Sequence, residues 1–593
     1  LHPVAHSFPT RRSSDLVPMA SESNTITFRS QSADSTLVNL AYEANPTKPY
    51  SVKLNGADYI TFQDMTLSAT NDSLSRVVQL VGGATHNTLA NSVIKAKGDK
   101  GGLIYSTHDP DSCNLIENNY LEGGQFGVYF EHDGSIADEM DNKFRNNRIM
   151  NTKSAGIFTQ HQSGMEIYRN RIIKTQPEQN DWAGIWLENH SGENLIANNM
   201  ISVDYEQKCA GIGLKNSFDQ KIFHNSILIT GDAPTSRVLE HTGDVIHEAN
   251  SIRNNIFVNL AGGLALYTEM DDPDYDNLNA DYNVYHTNGD YLVQCRGQLK
   301  ASLNDWQTES GRDANTLDLK PVFLSDTDLH TFNLELDGKG AALTEVTADI
   351  DGESRDGSTP DIGADEFDPQ PLTGDYTIGG SSYDYVDFSD ALEDLKLFGI
   401  SGNVAFAVNA GTYEEQLHVE DILRNSPTDS IVFESSSGDS TQAILQYNST
   451  NADSNYVVRL NGESNLTFNG MTLKATGENY GRVVELKGGS HNNRFLNNIL
   501  ESTAGESTTV KALVFSSDIT PAMDTMNLFK NNVFKSGSYG VCMNGMGQSG
   551  QEYGNRIIDN EFSNQSAYAI YMRYQDEPVI SGNVVEAAPD NIY

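Results

Sequence analysis

Cysteine and tryptophan are scarce in this chain, with 4 and 3 among 593 residues. Cys113, Cys209, Cys295 and Cys542 show neither metal-type spacing nor a repeated disulfide frame, so they read as isolated small apolar side chains. No apolar run approaches the roughly 18 to 20 residues of a membrane span, which argues against a helical membrane segment. Basic residues are also few: 39 Lys and Arg face 81 Asp and Glu, a formal net charge of −42. Such a surface argues against nucleic acid as a partner, because phosphates need a basic footprint. It argues equally against direct binding of an anionic glycan, unless Ca²⁺ bridges the two or a local basic cluster interrupts the pattern. An acidic surface also favours solubility at high salt. No G-x-S-x-G, phosphate-loop, zinc or dinucleotide fingerprint is present, and no metal site is assigned.

What the chain does have is repetition. Val77-Val78-Gln79-Leu80-Val81-Gly82-Gly83 returns as Val483-Val484-Glu485-Leu486-Lys487-Gly488-Gly489, and LNGADYITFQDMTLSAT from Leu54 returns as LNGESNLTFNGMTLKAT from Leu460. Inside each copy an N-x-x-x-N-N-x-[IVF] phrase recurs every 23 to 34 residues or so, the mark of a solenoid. The repeats read as three short strands per turn. Gly127–Glu131, Gly156–Gln160, Gly184–Glu188 and Gly211–Lys215 are one strand on successive rungs. A second strand follows each asparagine pair, as in Arg148-Ile149-Met150, Met200-Ile201-Ser202 and Ile256-Phe257-Val258. Asparagine suits these corners because it tolerates left-handed backbone angles. Stacked on successive rungs, its amides can also form a ladder along the axis.

Residues 1–16 stand apart: HSFPTRRSSDL, from His6 to Leu16, resembles the in-frame translation of a sequencing adapter and is set aside. The first copy is expected over 17–367, its start missing, with a closing segment over 318–367. A stiff linker with two prolines is read over 368–374, and a second copy over 375–593, its C-terminal part missing. Within the second copy, Phe388, Ala391, Leu392, Leu395 and Phe398 follow helical spacing with Gly399 as a stop. This predicts a short helix that caps the coil before strands at Asn403–Val408 and Tyr413–Val419.

The asparagine phrases and the helix-then-GTYEEQLHV opening (Gly411–Val419) resemble right-handed parallel β-helix proteins of the pectin-lyase-like superfamily. Asp349–Arg355 and Pro360–Glu366 resemble the closing segment of secreted bacterial members of Bacteroidetes-like type. The resemblance implies an all-β fold of two tandem right-handed parallel β-helices with three-strand coils. It also implies secretion or cell-surface display, although no export signal lies in this sequence. It implies no single activity, because the superfamily holds lyases, hydrolases, esterases, epimerases, adhesins and phage spikes.

Strand alternation points Val128, Ile157, Ile185 and Ile212 inward, and Tyr129, Phe158 and Trp186 outward. The outward rings are candidate sugar-stacking residues. Beside them Glu131, His132, Asp133, His161, Glu188, His190 and Lys215 are candidate acids, bases or Ca²⁺ contacts. The bland alternative is that outward rings simply brace neighbouring strands. The second copy puts Cys542, Asn544 and Gly545 where the first has Tyr129, Glu131 and His132, so chemistry is expected in the first copy only. Asp271–Asp276 is an acidic loop without the register of a calcium site. Asp349-x-Asp351-Gly352 has a faint calcium-loop look, while Arg355 is expected to form a salt bridge. Three functions remain open: polysaccharide binding along the outward strand face, a polysaccharide lyase or glycoside hydrolase in the same groove, or a stalk or adhesin without a glycan pocket.

Overall fold

The computed structural model describes residues 20–586 except 133, 135–137, 179, 244–248, 270–277, 505–507, 517–521 and 548–549. Residues 1–16 and the acidic loop at 271–276 therefore lie outside the described residues, as does Asp133. The chain divides into two compact units, Leu1–Thr331 with Glu335–Asp368, and Phe332–Leu334 with Pro369–Tyr593.

Among the described residues of the first unit, three sheets of 10, 10 and 11 strands form the walls of a coil. The first wall runs from Ile26–Arg29 to Leu278–Asp281, and the second from Asn39–Tyr42 to Val284–Thr287. The third starts at Val52–Asn55 and ends at Gln298–Lys300, the last strand being antiparallel. Every other pairing within the three walls is parallel, so residues 23 to 34 apart in sequence become vertical neighbours. Aliphatic columns fill the interior: Ile157, Ile185 and Ile212 from the third wall, Ile172, Ile201 and Ile227 from the second, and Ile167, Ile196 and Ile222 from the first are fully buried. Each such side chain stabilises by roughly 1.5–3 kcal/mol on burial.

The asparagine pairs divide their labour. The first member takes the left-handed corner, as Asn146 and Asn198 do at φ 53°. The second turns inward and joins a buried ladder running Asn119, Asn147, Asn170, Asn199, Asn225, Asn255 and Asn283. Each side-chain amide donates to the next rung and to a backbone carbonyl that the corner would otherwise leave unpaired.

The glycines that open the third-wall strands answer a different need. A Cβ at Gly184 would come within 2.6 Å of both the Gly211 carbonyl oxygen and Cγ2 of Ile201. Gly184→Ala is therefore expected to cost about 1–3 kcal/mol, read as a lowered urea midpoint. An unchanged midpoint would mean the neighbouring rung yields freely.

After the last coil comes an unforeseen helix, α1 (Leu303–Ser310), capped by Ser302, with Trp306 fully buried. The closing segment then lies along the outer face of the second wall. Leu329, Leu336, Ile350, Ile362 and Ala364 cover Met200, Leu228, Ile256, Val258 and Val284. Buried Arg355 pairs with Glu366 at 3.0 Å and donates to Asn198 Oδ1, as a salt-bridge role requires. Asp349 fixes the turn, its Oδ1 accepting the amides of Asp351, Gly352 and Glu353.

Among its described residues, the second unit repeats the plan with sheets of 8, 7 and 6 strands. Residues 372–374, read as the end of a linker, instead begin the strand Leu372–Ile378. The predicted helix is α2 (Phe388–Phe398), N-capped by Asp387 and closed by Gly399, with Phe388, Ala391, Leu392 and Leu395 buried. The single strand expected over Tyr413–Val419 is two, Gly411–Glu414 and Leu417–Val419, because the coil turns a corner at Glu415-Gln416. Inside, Phe406, Phe433, Phe468, Phe495 and Phe529 stack rung upon rung at 4.9 to 5.4 Å. Among the described residues, no helix is long and apolar enough to cross a membrane. All four cysteines are free.

Candidate site on the third wall of the first unit

Tyr129, Phe158 and Trp186 occupy one row of the third wall, on directly paired rungs and half-buried. The row extends one rung back to Tyr105 and forward to Gly213 and Glu240. Tyr105 stacks on Tyr129 at 5.0 Å with planes 7° apart, and Tyr129 on Phe158 at 4.9 Å and 11°. This corrects one expectation. Rings stacked face to face along the coil axis cover each other's faces and offer only edges outward, so most of the stripe braces the strands.

Beyond Phe158 the arrangement changes. The six-membered ring of Trp186 lies over Gly213, where an added Cβ would meet Cε3 at 2.1 Å. Phe126, Phe158, Trp182 and Trp186 surround a pocket of about 230 Å³ whose floor is Ala155, Ala183 and Ala210. These alanines are vertical neighbours, and their small side chains are what leaves the depression. Trp182 is buried and donates from Nε1 to Thr152 Oγ1 at 3.1 Å. Asp181, Lys208 and Glu240 supply polar groups at the margin. Glu240 is held by Lys208 at 3.3 Å and by Arg237, which stacks on Tyr267.

A second depression, of about 540 Å³, adjoins Tyr105 and Tyr129 and includes Arg76, Lys100 and Gln125. Arg76 lies 3.7 Å above the Tyr105 ring. The matching arginine of the second unit, Arg482, lies 3.8 Å above Phe515 but is tied to Glu485 at 2.6 Å. In the first unit Gln79 replaces that glutamate, and Arg76 has no carboxylate partner among the described residues.

The polar candidates separate into two groups. Glu131, Glu188 and Lys215 share an outward row, with Tyr129 Oη donating to Glu131 at 2.8 Å and Lys215 pairing with Glu188 at 2.9 Å. His161 sits at the strand end with φ 52°, its Nδ1 3.7 Å from Asp138. His132 and His190 are not groove residues, because both are fully buried. Alternation from Phe130 through Glu131 carries His132 inward. The left-handed corner at Asn189 (φ 55°) turns His190 into the interior. There His190 Nε2 lies 3.1 Å from Thr159 Oγ1 and 3.0 Å from the Thr159 carbonyl. Burial lowers its pKa to about 4, which makes it neutral and structural.

Asp181, Trp182, Lys208, Glu240 and the alanine floor escape sequence reading because they carry no motif. Only their shared offset from the repeated glycines could have signalled them. Outside this face, His330, Asp351 and Asp365 bring possible metal-ligand atoms within 4.8 Å of one another. Arg171 already neutralises Asp351 at 2.8 Å, and His330 bonds both Asp328 and Asp351, so the group closes as an ion-pair network.

Comparisons with known proteins bear on the coil. Residues 50–228 match the family model described as a right handed beta helix region. No curated protein matches the chain. Among solved structures, a PL6 family alginate lyase, AlyGC, aligns at 11% identity over 95% of this chain and 96% of its own, with a TM-score of 0.17. The catalytic domain of a GH87 alpha-1,3-glucanase bound to nigerose aligns at 10% identity over 94% of this chain and 64% of its own, with a TM-score of 0.18. At these scores neither carries an argument about activity. The matched region and the three-walled coil that runs through it give this chain the fold of a right-handed parallel β-helix.

Proposed function

We propose that the first unit binds polysaccharide on the outward face of its third wall, with the pocket around Phe158 and Trp186 as the principal sugar contact. The observation that carries this reading is a depression with an alanine floor, aromatic sides and a charged margin. Sugars present apolar C–H faces edged by hydroxyls, and such a site matches both parts. Rungs are about 4.8 Å apart, close to one pyranose repeat, so an extended chain could follow the wall toward Arg76 and Lys100. Binding is favoured over acid–base catalysis by the state of the carboxylates on this face. Glu131, Glu188 and Glu240 are each engaged by a tyrosine hydroxyl, a lysine or an arginine. Export to the cell surface accords with this role and is part of the same proposal.

Affinity gel electrophoresis over a panel of polysaccharides provides the test. The chain is expected to be retarded by at least one glycan, and Trp186→Ala to weaken that retention by tenfold or more, on the scale of a lost aromatic anchor. Equal mobility of the variant and the parent would leave the stalk reading standing. Release of reducing ends or unsaturated products would instead establish the enzyme reading.

A further inference from the structure

A separate feature of the first unit is a concentration of arginine in a strongly acidic chain. Arg148, Arg169 and Arg171 line one pocket of about 240 Å³ with Asn146, Ile350 and Asp351, at the corner leading into the second wall. Arg148 and Arg171 are direct partners on neighbouring rungs of that wall. Like charges placed opposite one another are unfavourable. Asp351 is taken by Arg171 at 2.8 Å and by His330 at 2.7 Å. Among the described residues, neither Arg148 nor Arg169 has a carboxylate within ion-pair distance.

Arg169 is unusual in another way. It holds a left-handed corner, at φ 62°, where the rungs on either side use Asn146 and Asn198. A long side chain at that conformation is costly, of order 1–2 kcal/mol, so the guanidinium is placed here against local preference. Its Nε donates to the Ile350 carbonyl at 2.9 Å, which fixes the guanidinium at the pocket wall. Gly352 leaves space for it: a Cβ there would lie 2.7 Å from Nη2.

We propose that this pocket binds an oxyanion of sulfate or phosphate type, either free or as an ester on a polysaccharide. Guanidinium forks meet such oxygens with paired, charge-assisted hydrogen bonds. The site is on a different wall from the aromatic pocket and does not depend on the glycan reading.

The test uses the whole chain at low ionic strength, titrated with inorganic sulfate, inorganic phosphate, dextran sulfate and uncharged dextran. Saturable calorimetric binding is expected for at least one charged probe and not for dextran. Arg148→Gln, an exposed position, should weaken it about tenfold, the loss of one charge-assisted pair. Arg556→Gln, at an exposed strand position of the second unit, should bind the same probe as the parent does. Binding of the inorganic ions identifies a free oxyanion as sufficient, whereas binding of dextran sulfate alone identifies a polymer-borne ester. No saturable binding of any charged probe, or equal binding by Arg148→Gln, overturns the proposal.

Discussion

Asn225→Ala is expected to destabilise the first unit by about 3–5 kcal/mol, measured as a fall in unfolding free energy in urea. The Asn225 side-chain amide donates to the Ile196 carbonyl and to Asn255 Oδ1, and its oxygen accepts from both the backbone and side-chain nitrogens of Asn199. Alanine removes these bonds, together with a donation to the Phe223 carbonyl at 3.2 Å, and leaves buried groups unpaired, each costing roughly 1–3 kcal/mol. Some of that is recovered as the coil relaxes. Asn146→Ala is the matched control. Asn146 supplies a corner of the same coil, but its side chain is not a ladder member, so only its left-handed preference is lost, about 1 kcal/mol. Equal losses in the two variants would show that corner geometry, not the ladder, is what asparagine contributes.

The second large effect is on pH dependence. Ser106, Asp111, Glu139, Asn142 and Gln162 form a buried network in the first unit: Ser106 Oγ donates to Asp111 at 2.7 Å, and Gln162 Nε2 to Glu139 at 2.6 Å. The second unit rebuilds it from Ser516, Asp524, Glu552, Asn555 and Gln575, with Ser516 donating to Asp524 at 2.9 Å and Gln575 to Glu552 at 2.6 Å. Desolvation raises Glu139 from 4.5 to about 8 and Asp111 from 3.8 to about 6. The same cause raises Glu552 to about 7 and Asp524 to about 6.

Folded pKa values above the unfolded ones mean that the folded chain holds protons the unfolded chain has released. The resulting stability is fully present below about pH 4 and is lost as pH rises through 6 to 8. Each tenfold difference in proton affinity between the two states is worth roughly 1.4 kcal/mol. The unfolding free energy should therefore fall by several kcal/mol between about pH 5 and pH 8.5. Glu139→Gln, which removes one proton site at constant size, should flatten that slope in the first unit while the second unit keeps its own. A stability that climbs over this range, or a slope untouched by Glu139→Gln, would contradict the assignment.

The coil itself was legible in the order of the amino acids. Its asparagine phrases and opening glycines recur at rung spacing, and period-2 alternation assigned Ile157, Ile185 and Ile212 to the interior and Tyr129, Phe158 and Trp186 to one outer row. The helix over Phe388–Phe398 followed from its apolar spacing and its glycine stop. These are local, periodic properties, and a solenoid turns periodicity directly into vertical neighbourhood. Where alternation fails, the answer came from three-dimensional packing alone. His190 points inward because a left-handed corner at Asn189 reverses the side-chain direction, a backbone angle that residue type suggests but does not dictate. Ring planes, too, are set by packing: Tyr105, Tyr129 and Phe158 cover one another, and the alanine floor beyond them opens a pocket. The arginine cluster joins Arg171 to Asp351, 180 residues apart in sequence, because the closing segment folds back along the wall. Contacts of that separation follow from packing energy and leave no period in the sequence to read.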